Sequence, residues 1–401
     1  MSPNFTNRTA AVALILAHLF GLFALHGSLY RSGYIDALIR LWCEGPHYLP
    51  GSTNTILPRY TGINLLDKLL TLAGVMFANV TDGSLPQLSL YAVHFAGQYL
   101  GILTVLMLEG MRSGNQSSTF RFFSCWACAM QIFSYGLVMP LYGVLHLLTS
   151  SASGVFGTEL AEAASIINVL DVEVVPEALL IGYTLPAILM SLPLPSNSLH
   201  QWFGGLWQGS PLWSMIMRKI LCPRLPANVQ PLRASNVGKK EWESDLGTTD
   251  STSTGRNNES DKYRIISRAY IFAFICCAAS HLVLVVIIFA VWIYPSGFTS
   301  STRARMTLSE VFMPTPFYTT EKMLSMGSAM HAFFQYDQYI GSTAAIIWSS
   351  TLYINSRSQP LAAIGWIKLA FVVTVLSLIS GPAGAVIWLM WERELVLLSY
   401  C

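Results

Sequence analysis

An aspartate inside a long apolar stretch is the residue in this chain best suited to acid chemistry. Asp337 lies within Met326–Asn355, MGSAMHAFFQYDQYIGSTAAIIWSSTLYIN, about eleven residues from its start, or roughly 16 Å along a helix at 1.5 Å per residue. An ionised carboxylate at that depth of a bilayer costs several kcal/mol, so the group must be neutral, paired or facing a polar cavity. Helical spacing puts Met330, Phe333, Gly341, Ala344 and Trp348 on its face, with Phe334 and Gln335 beside it. The small residues permit close helix contact, so this face should look into a bundle. Asp337 is the first candidate acid; Phe333, Phe334, Gln335 and Trp348 are candidate substrate contacts. The plainer reading is an Asp that only hydrogen-bonds a neighbouring helix.

Other ionisable groups stand near the ends of apolar runs. Asp67 (in RYTGINLLDKLL) and Glu109 (in LEGMRSGN) are the next candidate acids. Gln98, three turns before Glu109, and Glu177, after the helix-starting Pro176, are candidate substrate contacts. Interfacial salt bridges are the alternative account of Asp67, Glu109 and Glu177. His94, His146, His281 and His331 fall on different runs without HxxxH or HxxEH spacing, which reads as hydrogen-bonded core histidines. Cys125 and Cys128 form a lone CxxC with no second pair, a weak zinc or redox signal. The aspartate-rich pairs that hold magnesium against a diphosphate are absent, as are a nucleophile elbow, a P-loop and GxGxxG. No metal and no cofactor are therefore expected.

The elements that must position these residues are membrane helices. Of 401 residues, 53% are hydrophobic and 11% charged, where a soluble domain carries about 25% charged. The net charge of +2 gives no reason to expect a nucleic-acid partner. Apolar runs cover Thr9–Leu29, Gly62–Val80, Leu88–Glu109, Phe123–Leu148, Val174–Leu194, Ser267–Tyr294, Met326–Asn355 and Leu361–Trp391. The fold class is thus an all-α transmembrane bundle of about seven or eight spans, with Gly62–Val80 the shortest. It forms one domain in two parts, 1–233 and 263–401, joined by a polar Ala234–Lys262 segment that should be a disordered cytosolic loop. The basic Arg218–Arg268 segment should be cytosolic. Counting spans outward then places the acidic Ser150–Glu173 segment and the amino terminus in the lumen, where Asn4 and Asn7 begin glycosylation sequons.

An aromatic cavity with a neutral acid suits proton-initiated cyclisation. The acid protonates an epoxide or alkene, aromatic faces stabilise the cations, and dryness prevents quenching. YTGINLLDKLLTL, NVTDGSLPQLSLY, LEGMR, MPLYGVLHLLTS, FFQYDQY and SGPAGAVIWLMWERE, in this order along most of the chain, resemble the fungal membrane-bound terpene cyclases of the ascofuranone-pathway type, with relatives in indole-diterpene and meroterpenoid pathways. The resemblance implies an endoplasmic-reticulum enzyme that acts on a lipophilic prenylated, epoxidised substrate and works with a membrane epoxidase. It carries over no catalytic residue. Two other classes stay open. An acyl- or prenyl-transferase would use His146 or His331, and a receptor or transporter would bind a solute unchanged.

Overall fold

The computed structural model describes residues 3–43, 47–224 and 251–398. Among these, regular structure is helical, with only two isolated bridges, Tyr48 to Thr55 and Arg112 to Ile166. The helices are α1 (Pro3–Gly21), which runs on through a π-helical turn, Leu22–His26, and Gly27–Arg31; α2 (Tyr34–Cys43); α3 (Asn64–Thr81); α4 (Pro86–Gly110); α5 (Phe123–Phe133); α6 (Tyr135–Thr149); α7 (Val175–Ser191), with a second π-helical turn at Leu180–Thr184; α8 (Asn197–Gln208); α9 (Ser210–Leu221); α10 (Ser251–Ile293); α11 (Met326–Asn355); α12 (Ala363–Ser380); and α13 (Pro382–Leu398). Among the described residues, four helices are long and apolar enough to cross a bilayer: Thr6–Arg31, Pro86–Gly110, Asp261–Ile293 and Ala363–Ser380.

Helix α11 has the bounds expected from the sequence. Ser325 caps it, accepting from the Ser328 N–H while the Ser328 hydroxyl accepts from the Ser325 N–H, a reciprocal capping box. Gly97 and Gly101 let α4 close on α10. A Cβ at Gly97 would fall 2.2 Å from Ser280 Oγ, and one at Gly101 2.4 Å from Cys277 Sγ. Without a side chain at either position the two backbones approach closely enough for dispersion contacts along their length.

Contacts sort the chain's turns into two ends. At one end, Asn7 donates to Leu147 O (3.0 Å) and accepts from Asn355 (2.7 Å), and the Ser150 hydroxyl donates to Asn115 (2.6 Å). The Ile167 N–H donates to Met111 O at that same end. At the other end, Met323 N–H donates to Ser32 O, Arg305 to Ser84 O, Asn79 to Pro50 O and Asn197 to Thr55 O. We call them the Glu109 end and the His26 end.

This sorting revises how several apolar runs were read. Phe123–Leu148 is two helices joined at Ser134, whose φ of 93° is the one left-handed value among the described non-glycine residues. Both limbs return to the Glu109 end, since Phe120 and His146 rings lie 4.9 Å apart, so α5 and α6 form a hairpin that dips inward. Leu361–Trp391 likewise breaks at Gly381 (φ 77°), and Arg393 of α13 comes back to Glu109. Conversely, α8 and α9, read as part of a connection, run in two pieces from the His26 end (Asn197) to the other end (Arg218). The loop before α3 packs along that helix, with Thr71 donating to Leu57 O and Asn79 to Pro50 O.

The orientation expected from counting spans is not met. Arg218 pairs with Asp171 at 3.0 Å, and Arg268 pairs with Glu173 and Glu177, so the basic and acidic segments share one end, together with Asn7. The α5–α6 and α12–α13 hairpins do not cross, whereas α8–α9 adds a broken crossing between the acidic and basic segments. Within the Ala234–Lys262 segment, α10 already includes Ser251; the part before it lies outside the described residues.

Candidate active site

A cavity of about 1510 Å³ opens between α3, α4, the α5–α6 tip, α7, α8 and α11. Its wall is a run of aromatic rings. Phe334 lies 5.4 Å from Phe77 and 5.9 Å from Phe95, Phe77 lies 5.3 Å from Trp207, and Tyr135 lies 5.7 Å from Tyr99. Both π-helical turns border it, through His26 on one side and Tyr183 and Thr184 on the other. Such turns interrupt the normal helical ladder and re-aim side chains, and they recur at functional sites. Tyr60 lines the part toward the His26 end; burial, and then the nearby Asp67 carboxylate, push its phenol up to about 12, so it stays a neutral hydroxyl.

Asp337 is the only carboxyl among the described lining residues, and no Lys or Arg joins it there. It is positioned by the break at Ser134. There the Ser134 hydroxyl accepts from Leu137 N–H at 3.2 Å, starting α6, and the Gly136 N–H donates to Asp337 Oδ1. The carboxyl thus takes a donor from a helix N-terminus, where unpaired N–H groups concentrate. The fit depends on glycine. A Cβ at Gly136 would lie 2.8 Å from Asp337 O and 3.1 Å from its Oδ1, and one at Gly341 would lie 2.3 Å from the Tyr135 ring.

Of the residues singled out in the sequence, the structure brings Asp337, Phe333 and Phe334 together in the cavity wall and places the others elsewhere. Glu109 is fully buried in a charge cluster. It accepts from Arg112 Nε at 2.5 Å and Arg393 at 2.9 Å, its second oxygen lies 3.5 Å from His146, and Arg112 also pairs with Glu394. Trp348 belongs to this neighbourhood, donating to His146 Nδ1 at 3.3 Å. Asp67 accepts from the N–H groups of Tyr60, Thr61 and Gly62 and from the Thr61 hydroxyl, which shapes the loop leading into α3. Gln98 holds the α12–α13 break, donating to Ser380 O and Cys277 O and accepting from Ala383 N–H. Gln335 donates to Val311 O, and Glu177 pairs with Arg268. His146 and His331 are not in the cavity wall.

Sequence reasoning missed Ser134, Tyr135, Tyr99, Trp207 and His26 as site residues. Tyr99 and Tyr135 are aromatics in apolar runs, where a cavity wall has the same composition as a core, and Trp207 lies in the stretch between two such runs. Ser134 had a faint signal in the short, polar Ser-Tyr-Gly step between two apolar limbs. Asn7, which begins a sequon, has its amide hydrogen-bonded to Leu147 O.

The described residues thus form a helical bundle with one carboxyl in an aromatic chamber. The chain belongs to the CtvD domain family, which matches residues 9–398. It is 26% identical over 384 residues to terpene cyclase penA of Penicillium crustosum, covering 95% of this chain and 94% of that one. It is 25% identical to terpene cyclase ctvD of Aspergillus terreus (96% and 99%) and 27% identical to terpene cyclase ascI of Acremonium egyptiacum (96% and 91%). No solved structure matches it significantly.

Proposed function

We propose that this protein is a membrane-bound terpene cyclase that starts ring closure by protonating an epoxidised prenyl chain, with Asp337 as the initiating acid. The single observation that carries the reading is the placement of Asp337 as the only carboxyl among the described residues that line a large aromatic cavity. The names of the relatives support the same activity. In the reaction, the Asp337 proton passes to the epoxide oxygen, the C–O bond opens toward the more substituted carbon, and the neighbouring alkene supplies the electron pair for the first new C–C bond. The Gly136 N–H holds the carboxyl in place and stabilises the carboxylate left behind. Phe95, Tyr99, Tyr135 and Phe334 present ring faces to the migrating positive charge, each worth about 0.5–2 kcal/mol. The apolar wall keeps out the water that would trap a cation as an alcohol.

One carboxyl and one imidazole do not make a magnesium–diphosphate site, and no group of three metal-binding side chains occurs among the described residues. Turnover should therefore survive EDTA washing of membranes. Loss that magnesium restores would favour an ionisation mechanism. The test of the reading itself is incubation of membranes containing the protein with an epoxy-prenyl aromatic compound. The expected product has unchanged mass, a hydroxyl in place of the epoxide and at least one new carbocycle, and the Asp337→Asn variant should not form it. Residence in the endoplasmic reticulum and supply by a membrane epoxidase belong to the same proposal, because a lipophilic epoxide reaches this cavity most directly from the bilayer. The transferase alternative loses support, since neither His146 nor His331 reaches the cavity wall.

A further inference from the structure

We propose that His26 takes the terminating proton, and that the prenyl chain binds with its epoxide end at Asp337 and its head group toward the His26 end. This rests on the cyclase reading above. Among the described residues lining the cavity, Asp337 and His26 are the one carboxyl and the one imidazole. The other polar groups there are hydroxyls, thiols and amides, which are poor proton acceptors at neutral pH. The two stand at different levels. Asp337 sits at the inner tip of the α5–α6 hairpin, against Gly136. His26 closes the π-helical turn that ends beside the loops of the opposite end, and it is exposed. Phe333 lies between them, one helical turn from Asp337 and with its ring 6.4 Å from that of His26, so the acid and the base face a shared space across an aromatic partition.

Cyclisation imposes an order on that arrangement. The positive charge starts at the protonated epoxide carbon and moves along the chain as each alkene attacks. It ends several carbons away, where a C–H bond adjacent to the last cation gives its electron pair to a new alkene and its proton leaves. With the epoxide at Asp337, the charge travels toward the His26 end, and the proton departs where His26 stands. The imidazole nitrogen accepts it, and exposure lets it pass to water. When product leaves, solvent protonates the Asp337 carboxylate, so the cycle balances as an isomerisation.

The test compares His26→Gln and His26→Ala with Asp337→Asn in membranes, following both substrate loss and product identity. Wild type must cyclise the substrate; if it does not, the cyclase reading itself fails. If it does, the His26 variants are expected to consume substrate within about threefold of wild type but to shift products toward other alkene positions or hydroxylated, water-trapped compounds. Asp337→Asn should consume none. Unchanged products from both His26 variants would overturn the assignment while leaving Asp337 as the acid. A parallel loss of consumption in the His26 variants, with normal expression and melting, would make His26 part of initiation and overturn the assignment as well.

Discussion

At the residue scale, two buried carboxylates with similar sequence settings have opposite surroundings, and this separates their expected roles. Asp337 faces a cavity and accepts from the Gly136 N–H, whereas Glu109 is enclosed by Arg112, Arg393 and His146. Asp337→Asn keeps size and polar shape but has no acid proton. Turnover should fall by about two orders of magnitude or more while the melting temperature in detergent stays near wild type; near-normal turnover would reduce Asp337 to a structural role. Glu109→Gln removes the charge that balances two buried guanidinium groups, and breaking such a buried pair costs about 3–5 kcal/mol. Its expected signature is a large loss of expression or melting temperature, with specific turnover of the surviving folded protein close to wild type. A stable but inactive Glu109→Gln protein would move the chemistry to the charge cluster.

At the element scale, the α5–α6 break is the device that brings a helix N-terminus to Asp337, and it was not legible in the sequence. Only the short Ser134-Tyr135-Gly136 step interrupts the apolar run, and the left-handed position is a serine rather than the Gly that usually announces such a turn. The Gly381-Pro382 step was visible, yet a continuous apolar run on both sides made one span the simpler reading. By contrast, α11 was legible to its bounds, because Ser325 and Ser328 make a recognisable cap before a long apolar run. The charge cluster joins residues far apart in the chain, Glu109 and Arg112 with Arg393 and Glu394, a pairing no local pattern reveals. Glycine substitutions test the break directly. Gly136→Ala places a methyl against the Asp337 backbone and carboxyl, and Gly341→Ala places one against Tyr135. Each should lower turnover tenfold or more, with the larger effect from Gly136→Ala, since it displaces the acid itself. Retention of full turnover by Gly136→Ala in a folded protein would show that this contact does not position the acid.

At the scale of the whole molecule, the two inward-dipping hairpins and the broken α8–α9 crossing fix which loops share a side. The Arg218–Asp171 and Arg268–Glu173 pairs require the acidic segment to sit with the basic one. By the Lys and Arg excess between Arg218 and Arg268, that side is expected to face the cytosol. Loops at the His26 end are then expected on the lumenal side. Labelling with an impermeant thiol reagent checks this. In a background lacking the exposed Cys43 and Cys125, Glu159→Cys and Ser301→Cys sit at exposed positions of opposite ends. Sealed microsomes should label Glu159→Cys together with a tag placed between residues 225 and 250, and should protect Ser301→Cys until detergent is added. If Glu159→Cys is protected while the tag is accessible, the Arg218–Asp171 and Arg268–Glu173 pairs cannot form and α8–α9 does not cross the bilayer.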